Sequence, residues 1–145
     1  MQTNSLNILA GKAASSSKPA LSPHRAEAIT NGLLIDVTVI AVEAGFMIPV
    51  ALTRAAWDEM VAWTEQDSRR QIAQDMASRL WNVLWVLRCH SQVKRDKPIY
   101  ELPFEVHSLP RDMKSRRPQA TWLKAVIQPG DAGEAVITIM LPRED

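Results

Sequence analysis

Apolar and polar positions along the chain change period several times, and each change marks an element. IYELPFEV alternates strictly, with Tyr100, Leu102, Phe104 and Val106 on one face and Glu101, Pro103 and Glu105 on the other. Period two marks a half-buried strand. Pro103 cannot donate to a ladder, which places the strand at an edge or a bulge. ATWLKAVI and EAVITIML are β-branched runs on either side of QPGDAG, the pattern of a hairpin. MIPVAL reads as one more short strand.

Helical spacing dominates the middle of the chain. Ile72, Met76, Leu80, Val83 and Leu87 fall on one face of RRQIAQDMASRLWNVLWVLRCHS, behind a capping pattern formed by Ser68 and Gln71. Across LWNVLWVL only Asn82 is polar. This predicts a central helix lying inside the domain, with at least one of Trp81 and Trp85 almost wholly buried. Thr53 opens a helix through TRAAWDEMVAW. A short helix is expected in SPHRAEAITNG, with Ser22 as cap, Pro23 at the first helical position and Asn31-Gly32 as the stop. DVTVIAVEAGF has the β-branched content of a strand, yet Val37, Ile40, Ala41 and Ala44 fall at helical spacing between Asp36 and Gly45. Helix is the preferred reading there.

Residues 1–21 are rich in Ser, Ala and Asn and read as a mobile tail, leaving 22–145 as a single globular domain. The expected class is α+β. A long central helix and shorter helices pack on one face of a small antiparallel sheet of three or four strands, which ends in a C-terminal hairpin.

Composition adds little to this until its distribution is considered. A chain of 145 residues can bury one sizeable core. Five tryptophans against two phenylalanines and one tyrosine is unusual, and core positions are favoured for them over interface positions. The net charge of +1 is uninformative. Between 88 and 124, however, cations outnumber acids, whereas acids predominate between 25 and 87. The single cysteine, Cys89, excludes an internal disulfide and suits a reducing compartment. No apolar run reaches the roughly 18 residues that a membrane span needs, and the N-terminal residues lack the apolar core of a secretion signal. A cytoplasmic location without a membrane partner is the expectation.

Candidate chemistry is sparse. The Gly130 and Gly133 loop joins strand to strand, with no helix to follow, and Asp131 would repel a phosphate. Asp131 and Glu134 are too few for a calcium loop. The loop is therefore expected to be a turn, with Gly130 or Gly133 at positive φ. Cys89 and His90 are adjacent on a helix and point about 100° apart, so they form no dyad, and a buried structural cysteine is favoured. His24, His90 and His107 are too scattered for a zinc pattern. Asp36 with Glu43 and Asp58 with Glu59 are better explained as caps and solvated charge. No phosphate-loop, dinucleotide or hydrolase motif is present, and neither a catalytic residue nor a cofactor is expected. The strongest functional hint is the basic segment. Lys94, Arg95 and Lys97 follow the central helix, Arg111, Lys114, Arg116 and Arg117 fill one loop, and Trp122 follows as an aromatic anchor. Such side chains neutralise phosphates or meet an acidic protein surface.

RAEAITNGLLIDVT, EAGFMIPVALTRAAW and QPGDAGEAVITIMLPRED together resemble a domain-of-unknown-function family. Its members are short proteins carried on plasmids, integrative elements and prophages of proteobacteria. The resemblance spans most of 25–145 and implies a setting rather than an activity: accessory proteins of this kind act on a host or element protein. Three expectations follow. The first is a non-catalytic protein-binding accessory protein, such as an inhibitor of a CRISPR or restriction system. The second is a nucleic-acid-binding protein using residues 94–117, and the third is a small enzyme.

Overall fold

The computed structural model describes residues 24–90 and 99–145. The proposed tail, Ser22, Pro23, and the basic residues Lys94, Arg95 and Lys97 lie outside those residues. The chain runs α1 (Arg25–Thr30), β1 (Leu34–Asp36), α2 (Thr38–Glu43), β2 (Val50–Thr53), α3 (Arg54–Met60), α4 (Glu65–Arg70), α5 (Met76–His90), β3 (Tyr100–Ser108), β4 (Gln119–Pro129) and β5 (Ala135–Met140).

The five strands form one open sheet in the order β1-β2-β5-β4-β3. β3, β4 and β5 are antiparallel neighbours, but β2 pairs parallel with β5, Val50 lying opposite Ile137. The sheet is thus mixed and wider than the small antiparallel one expected. β1, in GLLID, carried too short an apolar run to be recognised in the sequence. β3 is an edge strand with Pro103 opposite Lys124, and Phe104 and Val106 are buried as the alternation predicted. The turn between β4 and β5 closes with Gly133 N–H donating to Gly130 O at 3.0 Å, and Gly133 takes φ +84°. QPGDAG is a hairpin turn.

One sheet face carries Leu52, Phe104, Leu123, Ile137 and Ile139 against Leu80, Val83, Leu84 and Leu87 of α5. Ala41 and Ala44 at the end of α2, and Ala56 and Met60 of α3, complete the core. Val37, Ala41 and Ala44 are buried, so the helical reading of this segment holds, and Gly45 ends it at φ +101°. Thr53 caps α3 as expected, its hydroxyl accepting the Ala56 N–H. α1 departs from the one-sided arrangement. Its Arg25 guanidinium donates to Thr138 Oγ1 and to Ile137 O, both at 2.8 Å. Thr138 alternates with core-facing Ile137 and Ile139, so α1 lies against the opposite face.

The single long helix of the sequence reading is two helices. Thr64 and Asp67 form the capping box that opens α4, and α4 stops at Gln71. α5 starts afresh behind Asp75, whose carboxylate accepts the Ser78 N–H at 2.8 Å. The Ser68/Gln71 pattern caps nothing, because Gln71 is buried and its side chain serves a distant loop. The second correction concerns the face that α5 buries. Its inner stripe is Leu80, Val83, Leu84 and Leu87, while Trp81 and Trp85 remain 39% and 50% exposed. They stack on each other with ring centroids 6.1 Å apart and planes 11° apart.

Candidate functional site

The segment from Pro110 to Pro118 is a basic loop fastened to α4 and to Gln71 at its end. Gln71 is its main tether. Gln71 Nε2 donates to Pro110 O at 2.9 Å and to Ser115 O at 2.7 Å, and its Oε1 accepts the Met113 N–H at 3.0 Å. Asp112 folds the loop on itself, accepting N–H groups from Lys114 and Ser115 and the Ser115 hydroxyl proton. These bonds, the Ser115 hydroxyl foremost, hold the Asp112 carboxyl well below its ordinary value, from 3.8 to about 2. Met113 takes φ 72°, a left-handed backbone that a non-glycine residue keeps only where surrounding bonds impose it.

The four loop cations therefore differ in kind. Arg111 Nε donates to Asp67 Oδ2 at 2.8 Å. Arg116 Nη1 donates to Gln71 O at 3.1 Å, completing the end of α4. Lys114 and Arg117 are exposed. Asp67 accepts from both the backbone and the hydroxyl of Thr64 as well as from Arg111. The Thr64 N–H is the chief reason its pKa falls, against an opposing effect of burial. Trp122 is 54% exposed on β4 opposite Glu105, on the sheet face away from the core. Lys124 and Glu101 approach to 3.9 Å on that same face. Lys114, Arg117 and Trp122 are thus presented to solvent, whereas Arg111 and Arg116 also brace the loop.

Behind the loop lies a feature the sequence reading missed. Arg79 is only 3% exposed, and its guanidinium lies over the buried Trp63 ring, 4.5 Å from the centroid. Arg79 Nε donates to Val61 O at 3.2 Å and Nη1 to Leu109 O at 3.0 Å, while Nη2, shut off from solvent, has no hydrogen-bond partner. No carboxylate among the described residues pairs with it. Burial, and then the like charge of Arg111, lower its pKa to about 10 against the pull of Asp67. One signal in the sequence was available. Arg79 precedes Leu80 and sits one helical turn before Val83, which places a charge on the buried stripe of α5.

Other expectations fare differently. Cys89 is exposed rather than a buried structural cysteine. Trp63 is buried, but Trp81, Trp85 and Trp122 are exposed, so core is not where most of the tryptophans lie. Asp36 turns to Thr38, accepting its N–H at 3.0 Å, and Asp58 pairs with Arg54 at 3.6 Å. Among the described residues no three His, Cys, Asp or Glu side chains gather into a metal-binding group. No described helix is long and apolar enough to cross a membrane.

Comparison with known proteins gives no curated protein and no solved structure that matches this chain. Residues 20–145 match the model of a family described as "Family of unknown function (DUF6573)", and the chain belongs to that family.

Proposed function

We propose that this chain is a non-catalytic accessory protein of a mobile genetic element that binds a host or element protein. Its sharpest form is an inhibitor of a nucleic-acid-directed host defence. The contact surface is the 111–117 loop together with Trp122, and Lys94, Arg95 and Lys97 are further candidates. The observation that supports this reading is the fastening of the loop. A merely solvated basic loop needs no buried glutamine to hold it, whereas a binding loop gains affinity when its ordering cost is met before the partner arrives. Lys114 and Arg117 project from that fixed base. The mobile-element setting rests on the sequence resemblance.

The surface around Trp122 favours a protein partner over a nucleic acid. Glu105 lies opposite Trp122, and Glu101 pairs with Lys124 on the same face. Carboxylates beside the aromatic anchor would repel a phosphate backbone but suit a partner of mixed charge.

The test is capture by the tagged full chain, with and without nuclease, followed by binding of the purified partner. The proposal expects nuclease-resistant, direct binding that Lys114→Glu with Arg117→Glu abolishes. Retention on bare DNA or RNA, falling steeply with salt and lost in the same variant, would establish the nucleic-acid reading instead.

A further inference from the structure

We propose that the cleft between the first turns of α5, the end of β3 and the segment 116–118 binds a small oxyanion. This inference goes beyond the protein-binding reading and does not depend on it, since a free ion needs no partner protein.

The cleft has a volume of about 190 Å³, and its wall includes Arg79, Asn82, His107, Ser108 and Arg116. No Asp or Glu contributes to that wall among the described residues. Pockets for drug-sized ligands run from roughly 300 to 1,000 Å³, so this cleft suits a phosphate or carboxylate group rather than a whole nucleotide.

The charge imbalance around Arg79 is the second observation. A buried charge ordinarily has a counter-charge, because neutral carbonyls recover only part of the lost hydration. Arg79 has two carbonyl acceptors and one donor nitrogen with no partner. The nearby carboxylate, Asp67, is taken by Arg111 at 2.8 Å and by Thr64. Arg116, whose Nη1 holds Gln71 O, adds a further cation on the cleft wall. The orphan Nη2 of Arg79 is closed to solvent and does not touch a guest. The uncompensated charge of Arg79 and the exposed Arg116 leave a positive potential in a small space whose wall has no carboxylate, and an oxyanion there offsets it. Guanidinium groups suit such a guest because their donors are planar and stay charged across the physiological range.

The experiment is a titration of the full chain with sodium phosphate, and separately with sodium acetate, at ionic strength held constant with sodium chloride. Backbone amide chemical shifts give the readout. The proposal expects saturable shifts centred on residues 78–82 and 107–109 with at least one of the two anions. Saturation by phosphate alone identifies a tetrahedral guest, and saturation by acetate alone a carboxylate. Arg116→Ala should weaken the binding about tenfold, the loss of one charge-assisted hydrogen bond. Arg69→Ala removes the same charge from α4 outside the cleft and should leave affinity unchanged. His107→Ala removes an exposed wall residue, and weakening in that variant supports the site even if Arg116→Ala disturbs the loop. Shifts that never saturate with either anion overturn the proposal. Equal weakening by Arg69→Ala and Arg116→Ala also overturns it, because the effect would then be general surface charge.

Discussion

Asp131, in the hairpin turn, caps α1 through Arg25 from 106 positions away: Asp131 Oδ1 accepts the Arg25 N–H at 2.7 Å. Oδ2 accepts the Ala26 N–H at 3.0 Å, and His24 at the N-cap position provides no side-chain cap of its own. The carboxylate of the glycine loop is a structural cap.

Removing that cap should be felt at the far end of the chain. Asp131→Ala should lower stability by about 0.5–2 kcal/mol, the usual cost of losing a helix cap, and Asp131→Asn by less because asparagine also caps well. Thermal melting measures both. Unchanged melting in Asp131→Ala would mean that α1 does not depend on the turn.

On α5, size and stability should part company. Leu84 is fully buried whereas Trp85 is half exposed. Leu84→Ala should cost about 2–5 kcal/mol, the range for truncating a buried leucine. Trp85→Ala should cost less despite the larger ring. A double-mutant cycle with Trp81→Ala should give a coupling of about 0.5–1.5 kcal/mol, as expected for a stacked aromatic pair. Denaturant unfolding of the parent, the three single variants and the double variant checks both statements, and a greater loss in Trp85→Ala than in Leu84→Ala would contradict the burial pattern.

The acid side of the stability profile should be set partly by the loop. Asp112 and Asp67 both titrate lower in the fold than in the unfolded chain. Their stabilisation is therefore complete above the ordinary carboxylate pKa and is lost as pH falls through the folded values. For Asp112 that window runs from 3.8 down to about 2. Asp112→Asn should flatten the fall in stability between about pH 4 and pH 2, measured as denaturation midpoint against pH. An acid limb identical to that of the parent would remove Asp112 from the account.

Charge reversal should separate the loop cations into two pairs. Lys114→Glu and Arg117→Glu alter exposed residues and should move stability by roughly 0.5 kcal/mol or less. Arg111→Glu places a carboxylate beside buried Asp67 and should cost more than about 1 kcal/mol. Arg116→Glu should also destabilise, since it removes the donor to Gln71 O. Melting temperatures compare the four, and partner capture should be judged on the Lys114 and Arg117 variants, where loss of fold does not confuse the result.

Features whose causes are local were legible in the chain. Strict alternation over 100–106 specified a strand, and Pro103, which brings no N–H to a ladder, limited it to an edge or a bulge, of which the sheet order shows the edge. Glycine between two β-branched runs specified the hairpin. The spacing of Val37, Ile40, Ala41 and Ala44 favoured a helix for α2 without excluding the strand its β-branched content suggested, and the fold decides for the helix by burying Val37, Ala41 and Ala44 together. The loop cations could be named from composition, but not their different duties.

The tertiary structure decided whatever depends on a distant partner. The helix breaks at Gln71 because its amide satisfies loop groups between 110 and 115, forty residues onward. Trp81 and Trp85 stay outside because α5 meets the sheet along a single stripe, and apolar composition alone does not say how many faces a neighbour will cover. β2 joins β5 in parallel, and Arg79 is enclosed by Val61 and Trp63 from the α3–α4 connection and by Leu109 just past β3. Periodicity records which side of an element is buried. What buries it, and which polar groups meet there, depends on segments far away in the chain that only folding brings together.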